Sequence, residues 1–315
     1  MKVKRLGPIF GAEVEGVDLR RPVDDDTINS LKSSLYEHEV LVVRDQELSG
    51  EDMKALGRAF GDLWANPFSP ARTDSPELII FDNHDSNPPA LTDVWHADET
   101  YREAPPAVTM LHSLIAPALG GGTMFVSMRA AYETLSDRMK VLISGLTARH
   151  DFGRFDGLFP DVPEARKPLH EIELRFPHPS HPVVRIHPMT GKPVIYVNSH
   201  FTQRINELPE DEGKAILDFL LSRTSIPEIQ LRIDWRPGTL VIWDNQSVQH
   251  YALHDYYPQR RRMQRVTISG ERPVGDAPSP GKMAQRIVVK DAPEQPESTT
   301  IPKETVLRPF ERSYS

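Results

Sequence analysis

The tetrapeptide Trp95-His96-Ala97-Asp98 contains residue types that bind divalent metals. Residues i and i+2 of an extended segment point to the same side, so His96 and Asp98 can offer an imidazole nitrogen and a carboxylate oxygen to one ion. The chain has no cysteine, which leaves His, Asp and Glu as the metal-ligating side chains. On its own, a His-x-Asp sequence also fits a surface histidine beside a solvated aspartate.

A second segment, residues 237–273, supplies another histidine, His250. Two histidines and one carboxylate can bind one face of a six-coordinate Fe(II) and leave three positions open, which is the arrangement that oxygenases use. In the strand that the sequence predicts after His250, Arg261 and Arg265 face one side, and Arg260 and Arg262 face the other. Without the histidine upstream, the arginine run would equally fit a basic surface patch.

These strings together resemble the TauD/TfdA-type family of taurine and aryloxyalkanoate dioxygenases, which belong to the Fe(II)/2-oxoglutarate superfamily. The resemblance covers most of the chain from Val3 to Pro273. It lies in GAEVEGVDL near the amino terminus, WHAD, GGGT at Gly120–Thr123, AAYETLS at Ala130–Ser136, HPVVRIHPMTGKPVIYVN at His181–Asn198, WDN at Trp243–Asn245, QHYA at Gln249–Ala252 and the arginines that follow.

The resemblance implies cofactor-binding roles for five positions. His96, Asp98 and His250 would hold the iron. Thr123 and Arg261 would bind the far carboxylate of 2-oxoglutarate through a hydroxyl and a guanidinium. His254 would then be a bystander. Other histidines are expected to be structural or surface residues: His84, His112, His150 and His187.

Arg265 matches the family position that often pairs with an anionic group of the substrate. The sequence departs from the taurine enzymes where they form their specificity, at Asn66, Ser69, Thr92 and Asp93. We predict that four residues line the substrate site: Asn66, Thr92, Asp93 and Glu99. Glu99 follows the proposed metal ligand directly and places a carboxylate near the anion, which would disfavour an anionic head unless Glu99 turns outward. The departures at the specificity positions put taurine itself in doubt as the substrate.

The resemblance implies a 2-oxoglutarate-dependent dioxygenase with Fe(II), 2-oxoglutarate and O2. We expect it to hydroxylate a small anionic organic molecule, such as a sulfonate, an alkyl sulfate, or an aryloxy or carboxylic acid, with release of succinate and CO2. One alternative is a hydroxylase or desaturase of an amino-acid-like intermediate, with Asp93 or Glu99 receiving the amine. Another is a metal-binding barrel protein without catalytic activity.

The elements that must position these residues are mostly short strands separated by Gly and Pro, a pattern typical of a barrel or a jelly roll. The predicted fold is a β-rich α+β protein, in which a double-stranded β-helix (jelly roll) is flanked by helices. The main predicted strands are Glu77–Phe81, Ala107–Ile115, Gly122–Ser127, Val183–Ile186, Val194–Val197, Ile229–Trp235, Thr239–Trp243 and Arg265–Ser269.

Four helices are predicted, and their first residues follow from capping side chains. Asp26 is expected to cap the first, and Ser49 the second, which Gly61 ends. Ser136 is expected to cap a third helix with Met139, Leu142, Ile143 and Leu146 inward, and a fourth follows Pro209.

Residues 1–272 are predicted to form a single domain. An insert at about 153–182 has few apolar periodicities, so it is either a disordered connection or, as we favour, a lid over the site. The proline-rich segment 273–315 is predicted to be an extended arm.

The formal net charge of -8 argues against a nucleic-acid partner and favours a small-molecule substrate. No apolar run is long enough to cross a membrane or to act as a signal peptide, so we expect a cytoplasmic protein. A homo-oligomer, either a dimer or a tetramer, is expected by analogy with the family.

Overall fold

The computed structural model describes residues 1–20, 22–65, 75–152, 174 and 176–276. Three predictions fall wholly or largely elsewhere. Asn66, most of the insert at 153–182 and the arm from residue 277 onward lie outside the described residues.

Short strands dominate the described part of the chain, as the sequence predicts. The strands are β1 (Lys2–Arg5), β2 (Ala12–Glu15), β3 (Val40–Val43), β4 (Ile79–Asn83), β5 (Val108–Ile115), β6 (Thr123–Ser127), β7 (Thr147–His150), β8 (Ser180–Pro182), β9 (Val184–Ile186), β10 (Pro193–Ile195), β11 (Thr202–Ile205), β12 (Gln230–Ile233), β13 (Leu240–Asp244), β14 (Val248–Ala252) and β15 (Arg261–Ile268). The helices are α1 (Asp25–His38), α2 (Gly50–Phe60), α3 (Met128–Glu133), α4 (Asp137–Ile143) and α5 (Glu210–Ser222). This confirms a sheet-rich protein with flanking helices.

The large sheet has seven strands in the order β1-β2-β3-β13-β5-β15-β4. β2 and β3 pair in parallel and the other neighbours are antiparallel. A smaller sheet has the order β12-β6-β14, and β7, β8 and β11 form a third. Strands remote in the sequence therefore become neighbours, and β13 lies between β3 and β5.

Three buried clusters divide the molecule into layers. One packs α1 and α2 against the outer face of the large sheet, with Leu35 and Ile242 in its centre. A second lies between the large sheet and the β12-β6-β14 sheet and contains Phe125 and Trp243. The third packs α3 and α5 together with β10. The inner faces of two sheets thus share one core, which is where a site between the sheets can form.

The first helix begins two residues earlier than predicted. Asp24 is its N-cap and accepts a hydrogen bond from the backbone N–H of Thr27 at 2.8 Å, whereas Asp26 lies in the first turn. Asp26 as the cap was therefore wrong. Three consecutive aspartates make the sequence ambiguous, and the acids inside the turn still interact favourably with the helix dipole.

Other helix signals are confirmed. Ser49 forms a capping box with Asp52 at the start of α2, and Gly61 is the C-cap residue. Ser136 caps α4.

The predicted inward position of Leu142 was wrong, because this residue is 49% exposed. With only two turns, α4 buries Ile143 and leaves Leu142 on the solvent side.

Several elements were not predicted from the sequence. β7, β11 and α3 were missed, and β15 begins at Arg261, four residues before the predicted Arg265. β7 and β11 are short and pair with each other, so a strand of this kind is defined by a partner that is distant in the chain. Among the described helices, none is long and apolar enough to cross a membrane.

Leu35→Ala is expected to lower the free energy of unfolding by about 2–5 kcal/mol, because it opens a cavity in the core beneath α1. The side chain of Leu35 is fully buried. Leu142→Ala, the same change at an exposed helical position, should alter stability by less than about 0.5 kcal/mol. Chemical denaturation of both variants measures the difference, and equal losses would contradict the layered core.

Candidate metal and carboxylate site

Two backbone hydrogen bonds join the WHAD segment to β14. The N–H of His96 donates to the carbonyl oxygen of His250 at 3.1 Å, and the N–H of His250 donates to that of His96 at 2.8 Å. The two imidazole rings lie side by side, with 4.1 Å between their centroids. The structure thus brings together two histidines that are far apart in the sequence.

His96, Asp98 and His250 form a compact, buried cluster. One ligand atom from each residue lies within 4.8 Å of the others. The His250 Nε2 atom is 3.8 Å from Asp98 Oδ1. His96 Nδ1 donates to the carbonyl oxygen of Val94 at 2.7 Å, which leaves its Nε2 atom for a ligand.

The histidines of the cluster are neutral at neutral pH. Burial lowers the pKa of His96. Burial, with the neighbouring charge of His96, lowers the pKa of His250 to about 3. His250 Nδ1 is buried and has no hydrogen-bond partner among the described residues. Neutral imidazole nitrogens are the form that binds metal.

Asp98 is held as a carboxylate. Burial would raise its pKa, but the Arg265 guanidinium 3.4 Å away, together with the neighbouring imidazoles, lowers the pKa of Asp98 to about 2. Its Oδ2 atom accepts a 2.6 Å hydrogen bond from the hydroxyl of Thr109 on β5. Asn245 fixes that hydroxyl by donating to it from Nδ2 at 2.9 Å.

The donor set fits a first-row divalent metal. It consists of two neutral imidazoles and one carboxylate, all buried. The hydrogen bond from His96 to Val94 and the one from Thr109 to Asp98 orient two of these ligands. His254 does not belong to this cluster.

Arg261 lies elsewhere in the same interior and is a buried cation. Its Nε donates to the carbonyl oxygen of Gly121 at 3.1 Å, and Nη2 has no hydrogen-bond partner among the described residues. No described carboxylate pairs with it. Burial lowers the pKa of Arg261 to about 10, which leaves it charged at neutral pH. A buried charge without a counter-charge is unfavourable, so an anionic ligand beside this guanidinium would stabilise it.

Thr123 and Arg261 border the same indole. Trp235 donates from Nε1 to the hydroxyl of Thr123 at 3.0 Å, and the Arg261 guanidinium carbon is 5.6 Å from the centre of the Trp235 rings. The structure therefore places the two residues predicted to bind 2-oxoglutarate close together. Gly121, with φ +67, turns its carbonyl oxygen to Arg261, and a Cβ there would lie 3.0 Å from Pro117.

Arg265 and Glu99 lie beside Asp98. The Nη2 atom of Arg265 is 3.9 Å from Glu99 Oε1. Burial raises the pKa of Glu99, and the charges of Arg265 and Arg102 oppose that rise.

Arg260, on the other face of β15, is exposed and pairs with Asp82 at 2.6 Å. The alternation predicted for the arginine run is confirmed.

Thr92 and Asp93 face His254. The hydroxyl of Thr92 is 3.0 Å from His254 Nε2, and Asp93 Oδ2 is 3.7 Å from His254 Nδ1. These are the contacts that the structure gives for the two side chains, and their substrate role stays a prediction.

Sequence reasoning missed three buried or half-buried residues here. Trp64 donates from Nε1 to Glu99 at 3.0 Å, and Arg102 stacks on the Trp64 rings. The ring of His200 is 5.4 Å from that of His96. Asn198 fixes the turn before it by accepting from the N–H groups of His200 and Phe201. No motif marks these residues, and the contacts of Trp64 with Glu99 and of His200 with His96 join segments that are distant in the chain.

The remaining histidines are mostly structural. Nε2 of His187 is 2.7 Å from Asp244, and Nε2 of His112 donates to the carbonyl oxygen of Gln46. His150 is buried against Thr100. His84 is partly exposed. His181 supports the segment after Asp98, since its Nε2 lies 2.9 Å from the carbonyl oxygens of both Thr100 and Arg102.

Comparison with known proteins identifies what the chain is similar to. Residues 2–267 match the model of the family described as "Taurine catabolism dioxygenase TauD, TfdA family". An alkylsulfatase of Acinetobacter baylyi is 32% identical, with 86% of each chain covered. An alpha-ketoglutarate-dependent sulfate ester dioxygenase of Pseudomonas putida is also 32% identical, over 84% of this chain and 88% of that protein. The crystal structure of a taurine dioxygenase from Burkholderia xenovorans superposes with a TM-score of 0.73 at 29% identity, over 87% of this chain and 92% of that one.

His181 makes the folded protein sensitive to mild acid. Burial lowers the pKa of His181 from 6.5 to about 4, so the unfolded chain takes up this proton at a higher pH than the folded one. Stability is therefore lost as the pH falls from about 6.5 to about 4, by at most about 3 kcal/mol from this group. His181→Gln keeps a donor for the two carbonyls without titrating, and it should flatten the dependence of unfolding free energy on pH in this range. His84→Gln, at a more exposed site, should leave the slope unchanged; an unchanged slope in His181→Gln would refute this assignment.

Proposed function

The chain belongs to the TauD/TfdA family of α-ketoglutarate-dependent dioxygenases, and on this premise we propose that it hydroxylates a small anionic organic substrate using Fe(II), 2-oxoglutarate and O2. The observation that carries the proposal is the buried cluster of His96, Asp98 and His250. The products are succinate, CO2 and the hydroxylated substrate.

His96, Asp98 and His250 are the proposed iron ligands. Bound Fe(II) supplies the redox chemistry by which O2 oxidises 2-oxoglutarate and a C–H bond of the substrate. The protein keeps the two imidazoles neutral and the carboxylate ionised, as described above, and it holds all three in a buried position. Thr109 orients the carboxylate, so the ligand set exists before the metal binds.

Arg261 and Thr123 are proposed to bind the far carboxylate of 2-oxoglutarate. The support is the buried charge of Arg261, which no described carboxylate neutralises, and its unpartnered Nη2 atom. A dicarboxylate that spans from the metal to this guanidinium would supply the missing negative charge. Charge-assisted hydrogen bonds of this kind are stronger than neutral ones.

Arg265 is proposed to bind the anionic group of the substrate. It lies 3.4 Å from Asp98 and therefore next to the proposed metal, where the oxidised carbon must be held. The two relatives described above carry names that refer to sulfate esters, which favours sulfate esters among the sulfonates, alkyl sulfates and carboxylic acids that fit the guanidinium. Hydroxylation at the carbon that bears the ester oxygen would then let the bond from that carbon to the sulfate oxygen break, which leaves an aldehyde or ketone and releases free sulfate.

We also propose that the large sheet and the β12-β6-β14 sheet are the two halves of a jelly roll. The support is the core that they share around Phe125 and Trp243. The family membership and the superposition with a taurine dioxygenase agree with this assignment.

His250→Ala should abolish the visible charge-transfer band that chelated Fe(II) and 2-oxoglutarate give in an anaerobic titration, because it removes one of three ligands. His254→Ala is the matched control: it removes a histidine four residues away that is not in the cluster, and the band should persist. The wild-type protein must show the band. A band that survives in His250→Ala would overturn the ligand assignment.

Arg261→Ala should raise the concentration of 2-oxoglutarate needed for half-maximal succinate formation by at least about tenfold, because the cosubstrate loses a buried charged partner. Arg260→Ala removes the neighbouring arginine, which is exposed and paired with Asp82, and it should leave this requirement unchanged. Steady-state assays of both variants measure the 2-oxoglutarate concentration that gives half-maximal succinate formation. Equal behaviour of the two would mean that another residue binds the cosubstrate.

A further inference from the structure

The Glu99 carboxylate is anchored through one of its oxygens. Glu99 Oε2 accepts a hydrogen bond from Trp64 Nε1 at 3.0 Å and lies 3.5 Å from Nη1 of Arg102. The Arg102 guanidinium stacks on the Trp64 rings at 3.5 Å, so each partner of Oε2 fixes the other. Glu99 therefore cannot swing out of the interior without breaking this three-residue contact.

The second oxygen of Glu99 faces Arg265. Oε1 is 3.9 Å from Nη2 of Arg265, beyond hydrogen-bond distance but close enough for a strong charge interaction in a buried setting. Only 6% of the Glu99 side chain and 13% of the Arg265 side chain are exposed. The backbone of Glu99 has φ 48, an uncommon value outside glycine, and this conformation is part of how the residue is held beside Asp98.

We propose that Glu99 and Arg265 form a dipolar recognition pair, which selects a substrate anion that carries an ammonium or another hydrogen-bond donor next to it. This inference rests on the proposed function, in that Arg265 binds the anionic group of the substrate. An anion at Arg265 also comes close to the fixed carboxylate of Glu99. Like charges this close are unfavourable in a buried site unless a donor lies between them.

A zwitterionic head removes this conflict. Its anion pairs with Arg265 while its ammonium pairs with Glu99, so Arg265 and Glu99 each have a partner of opposite charge. A simple alkyl anion satisfies Arg265 alone and leaves its repulsion with Glu99 uncompensated. Glu99 is on this basis a specificity-determining residue, and among the sulfate esters, sulfonates and carboxylic acids that fit Arg265 the pocket prefers those that carry an ammonium or another donor beside the anion.

The test compares hexanoate with 2-aminohexanoate, two probes that differ only in the ammonium beside the carboxylate. Calorimetric titrations use the full chain without O2, both alone and with Fe(II) and 2-oxoglutarate. The wild-type protein should bind 2-aminohexanoate at least about tenfold more tightly than hexanoate. Glu99→Gln should bind hexanoate at least about tenfold more tightly than wild type and lose the preference.

Glu103→Gln is the matched control, because Glu103 lies four residues away and its side chain is 72% exposed. It should bind both probes as wild type does. Weaker binding of hexanoate by Glu99→Gln would overturn the proposal, since Glu99 would then orient Arg265 instead of opposing the anion. If Glu99→Gln does not fold, the wild-type protein decides alone: equal affinity for the two probes, or binding of neither, also overturns it.

The two proposals can fail separately. A wild-type protein that forms no complex with Fe(II) and 2-oxoglutarate contradicts the proposed function, whatever the probes do. A protein that forms this complex and makes no distinction between the probes contradicts the recognition pair alone.

Discussion

The arrangement of the site depends on the reciprocal backbone hydrogen bonds between His96 and His250. They tie a loop to β14, which is itself paired with β6 in the small sheet. The separation of the two imidazoles is thereby set by main-chain geometry, which varies less than long side-chain conformations do. His96 lies in a loop, but these backbone hydrogen bonds position it as accurately as a residue of a strand. A metal centre requires this accuracy because its ligand distances are defined.

Asp98 is positioned by a series of hydrogen bonds that crosses the large sheet. Thr109 on β5 donates to it, Asn245 beyond the end of β13 donates to Thr109, and Trp243 donates from its indole N–H to the side-chain amide oxygen of Asn245 at 2.9 Å. This explains why a Trp-Asp-Asn string accompanies the proposed ligands: Trp243 packs in the core and acts through Asn245. Each of the four side chains in this series of hydrogen bonds has a buried partner, so loss of one member would leave another unsatisfied.

The sequence was informative where a periodic or local rule applies. Strand alternation predicted that Arg260 would be exposed, and Ser49 marked the start of α2 because an N-cap is a local interaction. It was not informative where a contact joins distant segments. Trp64 could not be recognised as a partner of Glu99, because it lies 35 residues earlier in the chain and in no periodic or motif-like context, and β7 depends on pairing with β11. The proposed ligands were identified through a family resemblance spread over the chain, since a single His-x-Asp carries little information.

Arg261 and Arg265 arise from the same face of β15, yet their electrostatic surroundings differ. Arg261 has a carbonyl oxygen and aromatic rings around it and no described carboxylate partner, whereas Arg265 lies between Asp98 and Glu99. A divalent metal bound to Asp98 would take up most of that carboxylate's charge. Glu99 would then remain as the main counter-charge of Arg265, because Trp64 and Arg102 hold it in place. The surroundings of Arg261 fit the carboxylate proposed for it alone, and those of Arg265 fit the proposed anion accompanied by a donor. On these proposals, charge would distinguish the cosubstrate from the substrate along a single strand.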